Sequence, residues 1–142
     1  MPALKTYDLF ISHAWQYGNS YDRLVKLLDD APYFYYRNYS APSENPLRTL
    51  KGTDAMTKRQ IMDAIERKIK PVNCVLIISG LYTSHHEWMQ YEIETAVRLG
   101  KPVIGIVPWG NTEVPAIVRL HSDTIVNWNT DSIVRAIRDF SI

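Results

Sequence analysis

The stretch VNCVLIIS, residues 72–79, is a continuous apolar run rich in β-branched side chains, with Pro71 before it and Gly80 after it. Such a run is typical of a central strand buried on both faces, because helices cover both sides of a parallel sheet. Outward from this run, the chain alternates short apolar runs with stretches of helical periodicity, without a repeat or low-complexity tract. The pattern predicts a single α/β domain over residues 1–142.

The other elements are predicted from the same alternation. Further strands are predicted from apolar runs at residues 7–12, 33–36, 101–108 and 123–126. Helices are predicted at residues 20–30, after Thr57, at 84–99 and after Thr130. The third of these helices is predicted to have Ser84 as its cap and Gly100 as its terminator. The last is predicted to have Thr130 as its cap and to face inward with Ile133, Val134, Ile137 and Phe140. A loop alone is expected between the last two strands. This order predicts a three-layer, flavodoxin-like, five-stranded parallel sheet of strand order 2-1-3-4-5.

The composition is that of an ordinary globular protein, with 46% hydrophobic residues, 22% charged residues and a formal net charge of +1. This balance favours neither a nucleic-acid partner nor a membrane surface. The single cysteine, Cys74, lies inside the apolar run and is predicted to be a buried thiol. Without a signal-peptide pattern or an apolar stretch of about 20 residues, the sequence predicts a cytoplasmic protein.

Candidate chemistry is concentrated in SHHEWMQYEIETAV, residues 84–97, since glycine-rich phosphate loops and zinc-protease or serine-hydrolase motifs are absent. Sheets of the predicted type bind ligands at the carboxyl ends of strands 1 and 3. Trp88 and Glu92 are four residues apart, so they lie on one strip of the predicted helix. An indole can stack on a flat cationic ring. A carboxylate can bind ribose hydroxyls and stabilise the positive charge of a breaking glycosidic bond.

Three carboxylates compete for this role. Glu87 is expected to partner Ser84 in a capping box, and Glu94 falls on the outer face of the helix. Glu92 borders the apolar stripe, which is predicted to contain Met89, Ile93, Ala96 and Val97. Spacing alone leaves a structural interpretation open, in which Glu92 is a boundary carboxylate and Trp88 only packs.

The histidines do not suggest a metal site. His85 and His86 are consecutive, so their side chains diverge by about 100° on a helix and cannot chelate together. His13 follows the first strand, where it could line a pocket or only make a turn hydrogen bond. His121 is predicted to lie on the surface.

Several segments together resemble a TIR domain, and most of all the TIR-like proteins of bacterial Thoeris anti-phage systems, the ThsB type. The resemblance covers nearly the whole chain. It is carried by YDLFISH (7–13), NYSAP (38–42), VLIIS (75–79) followed by Ser84, Trp88 and Glu92, KPVIGI (101–106) and IVNW (125–128).

The resemblance implies an NAD glycohydrolase or ADP-ribosyl cyclase that makes a cyclic or modified ADP-ribose signal. NAD would be the substrate, with no cofactor. The resemblance gives catalysis to Glu92 and nicotinamide stacking to Trp88. The residues that it places around the pocket are Phe10, Ser12, His13 and Ser84.

The long loop at residues 38–56 takes the place of the TIR BB-loop, which implies self-association on activation. A downstream effector would be reached through the nucleotide product. Two alternatives stay open: a non-catalytic adaptor that acts by protein assembly, and another nucleotide-handling flavodoxin-like protein, such as a nucleoside deoxyribosyltransferase or a flavin binder.

Overall fold

The computed structural model describes residues 5–11, 20–39, 58–78, 82–107, 114 and 116–142; at residues 20, 21, 58, 61 and 82–88 it describes the backbone only. Within these ranges strands and helices alternate along the chain. The strands are β1 (Thr6–Ile11), β2 (Tyr35–Asn38), β3 (Cys74–Ile78), β4 (Val103–Val107) and β5 (Thr124–Asn127). The helices are α1 (Ser20–Asp30), α2 (Lys58–Ile69), α3 (Tyr82–Arg98), α4 (Ala116–His121) and α5 (Thr130–Phe140).

The five strands form one parallel sheet of order β2-β1-β3-β4-β5, which confirms the predicted topology. Ile11 of β1 is in register with Leu76 of β3, and Ile78 of β3 with Ile106 of β4. The carboxyl ends of the three central strands therefore lie at one edge of the sheet. This edge is where ligands bind in sheets of this type.

Alternate strand residues are buried on opposite faces of the sheet, as the two-residue period of a strand requires. Leu9, Ile11 and Leu76 pack on one face with residues of α1 and α5. Phe10, Val75 and Ile77 pack on the other face with residues of α2, α3 and α4. All five residues of β3 are buried, so the apolar run at residues 72–79 contains the central strand that it predicts. No helix within the described ranges combines the length and apolarity needed to cross a membrane.

Helix α3 carries the candidate site and is anchored at its carboxyl end. Gly100 has φ +73°, the left-handed conformation that terminates many helices. Its N–H donates to the Val97 carbonyl at 3.1 Å, and the Lys101 N–H donates to the Ala96 carbonyl at 2.8 Å. These are the two hydrogen bonds of a Schellman motif, and they confirm the predicted role of Gly100.

Side-chain contacts also join α3 to α2. The Tyr91 hydroxyl donates to the Met62 carbonyl at 3.3 Å, and Arg98 Nη1 lies 3.2 Å from Glu66 Oε1. The Arg98–Glu66 pair is solvent-exposed, so it helps to orient α3 on α2 but contributes little to the free energy of unfolding.

Three predicted helix features were wrong. Helix α3 begins at Tyr82, so Ser84 lies inside its first turn and cannot be the cap. Helix α5 is capped by Asn129, whose Oδ1 accepts from the Ser132 N–H at 3.0 Å, and Thr130 is its first helical residue. The loop expected between β4 and β5 contains α4, a helix of six residues that is too short to show a sequence period.

Three smaller corrections concern strand position and burial. Strand β2 starts two residues later than predicted, because Tyr33 has φ +57°, which no strand residue adopts. Val97 and Phe140 were predicted to face inward but are 47% and 40% exposed. Both lie at the border of an apolar stripe, where periodicity does not decide which side of the boundary a residue takes.

Candidate active site

The main chemical feature of α3 is a pair of buried polar side chains. Glu92 is 0% exposed and Thr95 is 1% exposed, and they are the buried polar or charged residues of the described part of the chain. They are three positions apart, so they are neighbours on the helix surface. The sequence placed Glu92 at the border of the core; the structure places it inside.

Glu92 lies among buried apolar residues of α3. Met89 and Ile93 on the same helix are buried, and both belong to the cluster that contains Phe10 of β1. Removing a carboxylate from water costs several kcal/mol unless it is neutralised or paired. Carboxylates that are withdrawn from water occur both at functional sites and in structural ion pairs.

The other predicted site residues are placed to different extents. Phe10 is fully buried, on the sheet face that α3 covers. The backbones of Ser84 and Trp88 lie on α3, eight and four residues from Glu92 in the direction of the amino end of the helix, but their side chains lie outside the described part. Ser12 and His13 fall outside the described residues. The structure therefore brings Phe10 and the α3 strip to one layer of the domain.

Burial distinguishes Glu92 from Glu94, two of the three carboxylates that compete for the catalytic role. Glu94 is exposed and accepts a hydrogen bond from Gln90 Nε2 at 2.8 Å, which confirms its predicted surface position. The capping role that set Glu87 aside is removed, because Ser84 does not cap the helix. Glu87 thus stays a competitor, and its side chain lies outside the described part.

Thr95 was missed by the sequence analysis. Trp88, Glu92 and Thr95 are spaced by four and then three residues, the spacing of a single helix strip. That spacing was readable from the sequence, but threonine is equally common on exposed helix faces, so burial was needed to single it out. The Thr95 hydroxyl is buried and makes no hydrogen bond within the described part of the chain.

Two other features lie apart from this pair. A cavity of about 260 Å³ is lined by the turn after α1 and by one side of α5, on the opposite layer from α3. Within the described ranges, no group of three or more His, Cys, Asp or Glu side chains could hold a metal ion, and His121 is exposed. Cys74 is buried in β3, and burial raises the pKa of its thiol to about 12.

The fold is shared with an enzyme that acts on a nucleotide. The solved structure of the CMP N-glycosidase BcmB from Clostridium botulinum superposes with a TM-score of 0.55, covering 94% of this chain and 99% of that one at 15% sequence identity. At this identity the similarity establishes the class, a doubly wound α/β domain, and not the activity. Among curated protein sequences, none matches this chain.

The family is established by sequence. The family model of the TIR-like domain of the Thoeris protein ThsB matches residues 10–113, which is more than half of the 142 residues. The chain belongs to this ThsB TIR-like family. The matched range includes every residue predicted for the site, from Phe10 to Glu92.

Proposed function

We propose that this protein cleaves the nicotinamide–ribose bond of NAD, as a glycohydrolase or ADP-ribosyl cyclase, with Glu92 as the catalytic residue and Trp88 as the nicotinamide-stacking residue. The observation that carries the proposal is the complete burial of Glu92 on α3. A desolvated carboxylate costs free energy and does not help an adaptor that works only by assembly. Electrostatic catalysis, in contrast, benefits from such a group. Membership of the ThsB TIR-like family supports the same choice.

In the proposed mechanism, Glu92 stabilises the oxocarbenium-like ribose that forms as the bond breaks. A fixed negative charge acts more strongly in a water-poor site, because the effective dielectric constant is lower there. Nicotinamide departs as a neutral molecule, so the reaction requires no general acid. Water captures the ribosyl cation in the hydrolase reaction, and a nucleophile of the same ligand captures it in the cyclase reaction.

The proposal requires an opening step. Glu92 is fully buried, so ribose reaches its carboxylate only after adjacent groups move apart. Closure around the substrate would then exclude water and favour intramolecular capture over hydrolysis. A cyclic or otherwise modified ADP-ribose is the product that we propose, acting in the cytoplasm as a signal to a downstream effector in anti-phage defence.

The decisive experiment compares the variants Glu92→Gln, Glu94→Gln and Glu87→Gln of α3 by mass analysis of NAD products. Glu92→Gln keeps the side-chain volume and removes the charge, so we expect a loss of about 100-fold or more in rate. Glu94→Gln is the matched control, since Glu94 is exposed, and it should retain the wild-type rate. The melting temperature of Glu92→Gln, measured beside the rates, separates loss of the charge from loss of the fold.

Three results would change, in turn, the catalytic residue, the substrate or the function. Loss of activity in Glu87→Gln with retention in Glu92→Gln would transfer catalysis to Glu87. Release of cytosine from CMP, with NAD left intact under the same conditions, would replace NAD by CMP, the nucleotide for which the N-glycosidase BcmB is named. Wild-type protein that leaves both nucleotides intact at every concentration tested would favour the adaptor.

A further inference from the structure

The buried position of Thr95 does not explain why its side chain carries a hydroxyl. Its hydroxyl is buried and makes no hydrogen bond within the described part of the chain. A buried hydroxyl without a partner destabilises a fold, and valine would fill nearly the same volume without that cost. Buried polar groups of this kind are usually retained for a role outside packing.

The nearest acidic residue on the same buried face of the helix is Glu92, since the adjacent Glu94 is exposed. The two residues are one turn apart, and helical side chains lean toward the amino end, so Thr95 leans toward the turn that carries Glu92. A hydroxyl donates and a carboxylate accepts, and both side chains are shielded from water. Hydrogen bonds to a charged group are about twice as strong as those between neutral groups.

We propose that Thr95 is a positioning residue for Glu92: its hydroxyl donates to the carboxylate and holds it in the orientation that faces the substrate. The structure does not contain this contact, because the Thr95 hydroxyl makes no hydrogen bond among the described residues, so the contact requires rotation about the side-chain bonds of Glu92, of Thr95 or of both. Thr95 touches no substrate atom in this arrangement. Its contribution is to limit the conformations of a long side chain, and it acts only through Glu92.

The test uses two substitutions that separate the hydroxyl from the packing. Thr95→Val removes the hydroxyl and keeps the branched shape, whereas Thr95→Ser keeps the hydroxyl and removes a methyl group. Their first readout is the ¹³C chemical shift of the Glu92 carboxyl at constant pH, in protein labelled at glutamate and assigned by the signal lost in Glu92→Gln. We expect Thr95→Val to move that signal and Thr95→Ser to leave it near the wild-type position.

The second readout is kinetic, and only this part rests on the proposed function. Thr95→Val should lower kcat for NAD about tenfold with little change in KM, and Thr95→Ser should restore most of the rate. Ser122→Ala is the matched control, because the Ser122 hydroxyl is also buried without a hydrogen bond in the described part but lies after α4. It should change neither readout.

The outcomes keep the two proposals apart. If Thr95→Val moves the carboxyl signal while NAD is not cleaved by the wild type, the positioning contact stands and the proposed NAD cleavage is wrong. If Thr95→Val leaves the carboxyl signal unchanged, the positioning role is overturned whatever the activity. If Thr95→Ser moves the signal as much as Thr95→Val does, side-chain shape and not the hydroxyl is responsible, and the inference also fails.

Discussion

Glu92 occupies a position among the buried apolar side chains of α3. It lies beside Met89 and Ile93, which are buried against the sheet, and it is as buried as they are. Replacing buried charges by apolar groups of similar volume is often neutral or stabilising. The proposed catalytic role gives a chemical reason for a carboxylate at this position.

Cys74 shows the opposite case, in which burial makes a reactive group inert. Burial raises the pKa of the thiol from 9.0 to about 12. A thiol that stays protonated at neutral pH is a poor nucleophile, so we expect no labelling of the folded protein by a disulfide reagent at pH 8. Labelling should reach one equivalent when guanidinium unfolds the chain. Fast labelling of folded protein would show that β3 opens locally.

The same shift gives the stability of the protein an alkaline dependence. Above pH 9 the unfolded chain releases the thiol proton and the folded chain keeps it, so the free energy of unfolding decreases with pH until about pH 12. Cys74→Ala removes this contribution. Its melting temperature should fall less steeply than that of the wild type between pH 9 and pH 11, whatever the cost of the smaller side chain at pH 7.

At the level of elements, the strands were the most predictable part of the fold. The β3 and β4 runs are apolar at nearly every position, because they are buried on both faces, and that pattern has few other interpretations. Helix ends were less predictable. Ser84 and Glu87 have the form of a capping box, yet α3 begins two residues before Ser84. A cap is a local hydrogen bond worth about 1 kcal/mol, and tertiary packing readily overrides it.

Helix α4 could not be predicted at all, and the reason differs from the reason that applies to the helix ends. Its six residues bury one side chain, Val118, and so carry no period. Its place depends on Gly105 in β4, where an added Cβ would lie 3.1 Å from Val118 Cγ1 and 3.1 Å from Ser122 Oγ. The absence of a side chain at Gly105 lets α4 approach the sheet, and this close approach is a tertiary fact that a sequence window does not contain.

The carboxyl end of α3 provides a prediction at this scale. Gly100→Ala should lower the free energy of unfolding by about 1–2 kcal/mol, because an L side chain is strained at φ +73°. No atom lies within 4 Å of the added Cβ, so the cost is conformational and not a clash. Asparagine tolerates this conformation, and Gly100→Asn should therefore lose less. Chemical denaturation of the two variants measures the difference.

Equal losses in Gly100→Ala and Gly100→Asn would mean that backbone conformation is not the cause. NAD turnover per folded molecule should stay at the wild-type level in both. Gly100 is eight residues from Glu92, which is about 12 Å along a helix, and α3 should stay helical from Glu92 to its end at Arg98.

For the whole molecule, the sequence predicted the fold more fully than the site. The strand order, the two buried faces and the position of Glu92 on α3 follow from apolar periodicity and the chain order of the elements. Ser12 and His13, and the loop expected at residues 38–56 apart from its first two residues, lie outside the described part, so their predicted roles stay predictions. Periodicity has little to say about such segments, since their side chains need not alternate between core and solvent.

The loop predicted at residues 38–56 is expected to mediate self-association. If neighbouring subunits complete the site, the NAD turnover per molecule rises with protein concentration, because dimers form in proportion to the square of the monomer concentration. Arg48→Glu and Leu50→Asp should weaken this rise and leave the melting temperature almost unchanged, since the sequence predicts a loop there and substitutions at exposed positions usually alter stability by less than about 0.5 kcal/mol. Arg135→Glu, on the exposed face of α5, is the charge-matched control and should behave as the wild type does. Sedimentation measured at the same concentrations links activity to size. Turnover per molecule that stays constant over a hundredfold range of concentration, with a monomer throughout, would mean that one chain forms the complete site.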